Sequence, residues 1–192
     1  MRSRVAWFVA TALVCVATIG YLSAVRPRGK VGDARSDGVH YYRLAAQFHA
    51  GTTPTERVSL CYRIGIPFAV AWLAKALRIP IESAWALMNY LACAIFLSAF
   101  FVFALRFVEP PLAFLGTILF LLPYHVFVFL LCDHPFHVDL WFFALEAIGL
   151  LLISARRART RRVLVALGAL ALLGGLIRES TLMIPACLLL AS

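Results

Sequence analysis

Three stretches of this chain, 5–25, 84–105 and 112–131, contain no Asp, Glu, Lys or Arg. Each matches the roughly 20 residues needed to cross about 30 Å of hydrocarbon. Inside lipid a segment must satisfy its own backbone N–H and C=O groups, and a run of this kind does so as a helix. Two further apolar runs, 140–155 and 163–177, are shorter, and a last one, 181–192, stops in mid-span. Hydrophobic residues make up 63% of the chain and charged ones 14%, and the mean hydropathy is +0.90. Soluble domains carry roughly a quarter charged residues. The expected fold is therefore all-α: a polytopic integral membrane protein, one transmembrane domain over residues 1–192 with about five or six spans. The unfinished last run makes a truncated module the natural expectation.

The first run follows Arg2 and Arg4 as a signal peptide would. It exceeds the usual apolar core of about 7–15 residues, which favours a retained span. Residues 26–83 then form the one long extramembrane loop. Within it, Tyr41, Leu44, Ala45 and Phe48 fall on one helical face, and His40, Arg43 and Gln47 lie elsewhere. Thr53-Pro54-Thr55-Glu56 has the pattern of a helix start. Residues 64–79 are apolar but carry Lys75 and Arg78 beside Trp72, and their uncharged core is too short to span. An interfacial helix is expected there.

Five arginines between 156 and 162, with no acid among them, mark the cytoplasmic side of a membrane hairpin. So short a loop offers no fold for reading bases, which argues against nucleic acid as a partner despite the net charge of +9. Alternating backwards from these arginines puts the N-terminus inside and the 26–83 loop outside. Seven of the nine acids then share the exterior, among them Asp37, Glu82, Asp133, Asp139 and Glu179. Arg26, Arg28 and Lys30 run against this placement. The five cysteines define no disulfide framework: Cys15, Cys93 and Cys187 read as small apolar residues, and Cys61 and Cys132 would both be exterior.

Asp37 has two readings: a cap for the helix beginning near Gly38, or a carboxylate held at the membrane surface as a base or metal ligand. Tyr41, Tyr42 and Arg43 follow within two turns, and a planar guanidinium suits phosphate oxygens. Asp133, His134, His137 and Asp139 fall within seven residues. Asp133, His134 and Asp139 are candidate ligands for a hard divalent cation, Mg²⁺ or Mn²⁺, or belong to a polar turn whose acids keep the loop wet, while Pro135 speaks against a helical zinc site. Glu146 sits two turns after Asp139 inside a span, where it either lines the site or makes a structural hydrogen bond. Arg178 and Glu179 break an apolar stretch near the exterior end of the fifth span, as an ion pair or as a phosphate contact. Arg63 is a further phosphate candidate, or an anchor to headgroups.

Taken in order, these features resemble the N-terminal half of the GT-C superfamily of membrane glycosyltransferases, which includes protein O-mannosyltransferases and aminoarabinose transferases. The motifs carrying the resemblance are Asp-Gly-x-x-Tyr-Tyr from Asp37, Tyr-Arg-x-Gly-x-Pro from Tyr62 to Pro67, the acids around Asp133 to Asp139, and the segment from Gly175 to Leu182. The resemblance implies inverting transfer of a sugar from a polyprenyl-phosphate donor to an exterior acceptor. Asp37 would be the base, Asp133, with or without His134, would hold a cation or orient the donor phosphate, and Arg63 and Arg178 would contact that phosphate. It also implies residence in the cytoplasmic membrane and, for so short a chain, a possible second chain completing the fold. Two other classes stay open: a non-catalytic membrane scaffold or partner subunit, and a small-solute transporter, to which Glu146 would be central.

Overall fold

A computed structural model describes residues 2–25, 37–55, 63–119, 130–131, 135–154 and 160–178. All regular structure among them is helical: α1 (Arg2–Val25), α2 (Asp37–Ala50), α3 (Gly65–Leu77), α4 (Ile81–Ala104), α5 (Pro110–Leu119), α6 (Asp139–Ile153) and α7 (Arg161–Gly175), with Leu130 and Leu131 in a π-helical turn. The expected all-α class holds. The helix start proposed at Thr53 runs into residues 56–62, which lie outside the described residues, as do 120–129 and 181–192.

Prolines set two of the helix starts. Pro80 precedes the first residue of α4, and Pro110 opens α5, where a missing N–H costs nothing. Glu82 in the first turn of α4 suits the positive end of the helix dipole, so the helix begins before the uncharged run does. Likewise Arg161 and Arg162 are helical, and α7 starts ahead of its apolar stretch.

The core is an α4–α6 pair. Ala92, Cys93 and Ala99 of α4 pack with Leu140, Ala144 and Ala147 of α6, small residues that let two helices approach closely. The pair is parallel. At one end the Trp85 and Phe136 rings meet at 5.7 Å, and Asn89 Nδ2 donates to Pro135 O at 2.6 Å. At the other, Arg106 donates to Leu151 O at 2.8 Å and to Ser154 Oγ. α1 runs antiparallel to α4, with Phe8 against Phe101 and Trp7 against Phe114 of α5. α7 returns antiparallel to α6, so its C-terminal end reaches Asp139. One end holds Asp37, Glu82 and Asp139 with α2 and α3, together with Arg63, Lys75, Arg78 and Arg178, and the other holds Arg106, Glu109, Arg161 and Arg162.

Among the described residues α4 is the helix long and apolar enough to cross a membrane, and Val5–Tyr21, Gly65–Leu77 and Pro110–Leu119 are shorter apolar helices. Large apolar side chains also cover the outer faces, as at Leu13, Val16, Val165 and Leu172, which is 78% exposed.

Candidate functional site

Four separate segments meet at the α2–α3 end of the bundle. α2 presents Tyr41, which is buried along with Leu44 and Ala45 because these form its apolar face. Arg63, just ahead of α3, donates from Nη1 to Tyr41 OH at 3.1 Å. The turn before α6 brings the His137 ring edge-on to Tyr41, with centroids 6.3 Å apart. His137 Nδ1 lies 3.5 Å from Asp139 Oδ2, and Arg178, just past α7, donates from Nη1 to Asp139 Oδ1. The Arg178 guanidinium also lies 5.2 Å over the Phe142 ring, one turn along α6.

One backbone contact holds the two arginines in register. Gly65 N–H donates to Leu176 O at 2.9 Å, two residues from Arg63 on one side and two from Arg178 on the other. A Cβ on Gly65 would sit 3.1 Å from that oxygen and 3.2 Å from Leu176 Cβ. Any larger residue here needs the Leu176 end of α7 to give by a few tenths of an ångström.

The electrostatics follow from these contacts. The hydrogen bond from His137 holds the Asp139 carboxyl below its ordinary value of 3.8, helped by the positive charges of Arg178 and Arg63 and opposed by burial. Burial pushes the Tyr41 phenol up despite the Arg63 hydrogen bond, so it stays a neutral hydroxyl. Asp37 is exposed one turn before Tyr41 on the same face of α2, near enough to act on that phenol electrostatically. It belongs to the rim of the cluster, and as the first helical residue it complements the helix dipole.

The structure therefore brings together Asp37, Tyr41, Arg63, Asp139 and Arg178 from the sequence-predicted set. Tyr42 goes elsewhere: its hydroxyl donates to Glu82 Oε1 at 2.5 Å and its ring packs edge-on against Phe136. Burial and that carboxylate push its phenol up to about 12. Arg43 is exposed and lies roughly 200° around α2 from Tyr41, so it faces away from the cluster. Asp133, His134 and Glu179 lie outside the described residues. Glu146 is half-buried two turns along α6 from Asp139, and its Oε1 is buried with no hydrogen-bond partner among the described residues. Phe142 and Gly65 were not among the predicted site residues. The signal for Phe142 was its place between Asp139 and Glu146 on one helix face.

Among the described residues no group of three or more His, Cys, Asp and Glu side chains converges as a metal site. A divalent cation at Asp139 would have to displace the Arg178 guanidinium, so this carboxylate is better matched to orienting an arginine than to ligating a metal.

Compared with protein-family profiles, curated proteins and solved structures, the chain finds no match.

Proposed function

We propose that this chain is a polytopic membrane glycosyltransferase of GT-C type, or a module of one, using a polyprenyl-phosphate sugar at the exterior end of the bundle. The observation that carries the reading is the convergence of Arg63 and Arg178 with Tyr41 and Asp139, beside Asp37, from four separated segments. Two guanidiniums with an oriented phenol suit a phosphate leaving group, and a carboxylate at the rim suits a proton acceptor. The apolar outer faces support the membrane setting, because surface of this kind calls for lipid or a partner. In this reading the five to six spans include α1, α4, α6 and α7, with the α2–α3 end outside.

The acceptor hydroxyl passes its proton to Asp37 as its oxygen bonds to the anomeric carbon. The bond from that carbon to the phosphate oxygen breaks, and its electron pair leaves with the lipid phosphate. Arg63 and Arg178 meet the charge on that leaving group, and attack opposite to it inverts the anomeric centre. Asp139 and His137 keep Arg178 aimed, and Tyr41 does the same for Arg63.

The test is transfer from radiolabelled polyprenyl-phosphate hexoses and pentoses in membranes containing the chain. Asp37→Asn should lower transfer by roughly 10²-fold or more, the usual scale for a general base, with the melting midpoint retained. Transfer indifferent to Asp37, or absent for every donor with no polyprenyl-phosphate binding that depends on Arg178, would sink the reading. One observation favours solute transport instead: the buried Oε1 of Glu146 that lacks a hydrogen-bond partner among the described residues. Glu146→Gln separates the two, since transport would fail while sugar transfer survived.

A further inference from the structure

α3 is apolar on both sides, for two different reasons. Its inner face, Ile66, Val70, Ala71 and Ala74, is buried within the protein. Its outer face carries Phe68, 55% exposed, and Trp72, 65% exposed, one turn apart. Lys75 continues that stripe, and its ammonium donates to Phe48 O at 3.2 Å. At about 1.5 Å per residue, 13 residues cannot cross a bilayer. The position of α3 is nonetheless tied to the membrane. Arg78, Ile79 and Pro80 form a corner, and α4 starts directly after it. The entry point of a 24-residue spanning helix lies at headgroup level, so α3 must lie there too.

The corner residue adds a second observation. Arg78 has φ 54° and is the non-glycine residue with positive φ among those described. That left-handed position ends a helix and ordinarily favours glycine. Here an exposed arginine occupies it, beside the aromatic ridge. The nearby acid Glu82 is already engaged by the Tyr42 hydroxyl.

We propose that α3 is a lipid-surface clamp. Phe68 and Trp72 seat in the bilayer interface, and Arg78, with Lys75, binds the phosphate of an anionic phospholipid. Aromatic rings at headgroup depth and cations facing anionic lipid are each favourable there. Because α3 is bonded through Gly65 to the end of α7, a seated α3 also fixes the depth of Arg63 and Arg178. The inference rests on the membrane setting of the proposed function and is independent of sugar transfer.

The experiment uses the full chain in nanodiscs of phosphatidylcholine with and without phosphatidylglycerol. Subtracting Trp72→Phe from the wild type isolates Trp72 emission. It should be quenched by lipids brominated near the headgroup and protected from aqueous iodide. Enrichment of phosphatidylglycerol in the bound lipid, read by native mass spectrometry, should fall about fivefold in Arg78→Gly, as expected for one arginine at an anionic surface. The melting midpoint of that variant should be held or raised, because glycine suits the backbone there. Iodide access to Trp72, protection from lipid and iodide alike, or unchanged enrichment in Arg78→Gly would overturn the clamp. Leu91→Trp, at an exposed mid-helix position of α4, is the control for deep bromines. If it is not quenched, the membrane setting itself fails, and if it is quenched while Trp72 is not, only the clamp fails.

Discussion

Gly65→Ala should damage the protein out of proportion to one methyl group. The added Cβ would meet Leu176 O at 3.1 Å and Leu176 Cβ at 3.2 Å. Carbon atoms in contact prefer about 3.5–4.0 Å, so the end of α7 must retreat by several tenths of an ångström. Overpacking of this kind costs about 1–3 kcal/mol. Stretching the 2.9 Å bond from Gly65 N–H to Leu176 O adds up to about 1 kcal/mol. The helix-propensity gain of alanine over glycine returns at most about 1 kcal/mol, and less at a first helical residue. These terms together span a loss of about 0–4 kcal/mol, centred on about 2 kcal/mol. The larger effect is on the site, because the retreat carries Arg178 away from Arg63. Displacements approaching 1 Å at a reacting centre can cost about 10²-fold in rate. The assay pairs thermal unfolding in nanodiscs with polyprenyl-phosphate binding, and Gly168→Ala serves as comparison because nothing lies within 4 Å of its added Cβ. If Gly65→Ala matches Gly168→Ala in both measurements, the α3–α7 contact does not set the arginine register.

Two further substitutions test neighbouring parts of the account. The folded Asp139 carboxyl titrates below 3.8, so its contribution to stability is complete above that value and is lost as pH falls through the lowered one. Melting midpoints between pH 3 and 7 should therefore show an acid loss in the wild type that Asp139→Asn lacks, and identical slopes would count against the pairing. Asn89→Leu removes the donor to Pro135 O inside the α4–α6 interface, leaving a buried carbonyl unsatisfied at a cost of about 1–3 kcal/mol. Removal of the buried Asn89 Oδ1, without a hydrogen-bond partner among the described residues, offsets part of that cost. The melting midpoint should fall, and a midpoint unchanged or raised would mean that the bond to Pro135 O does not outweigh that buried oxygen.

Much of the helical framework was legible because lipid-compatible runs and amphipathic faces are local properties. The 5–25 run and the Tyr41-Leu44-Ala45-Phe48 face lie within α1 and α2. The hydropathy signal places the starts of α4 and α7 late, because Glu82 and Arg161 interrupt it. Glu82 suits the helix dipole, whereas Arg161 opposes it and is carried by its helix propensity. The candidate site was legible as a set of residue types and not as a geometry. Tyr41 and Tyr42 are neighbours about 100° apart on a helix, so they cannot both face one site. Which one turned inward was decided by Leu44 and Ala45, whose buried face Tyr41 shares. The contact of Gly65 with Leu176 joins residues more than a hundred positions apart, and no local pattern announces it.

The central claim is that Asp37 and the arginine pair share one end of a membrane-crossing bundle, opposite Arg106 and Arg161. Single cysteines at positions 37, 55, 106 and 161 in a cysteine-free background, labelled in intact cells with an impermeant thiol reagent, address it directly. The account predicts labelling at 37 and 55, and at 106 and 161 only after the membrane is opened. Labelling of 37 and 161 from the same side of an intact membrane would contradict it.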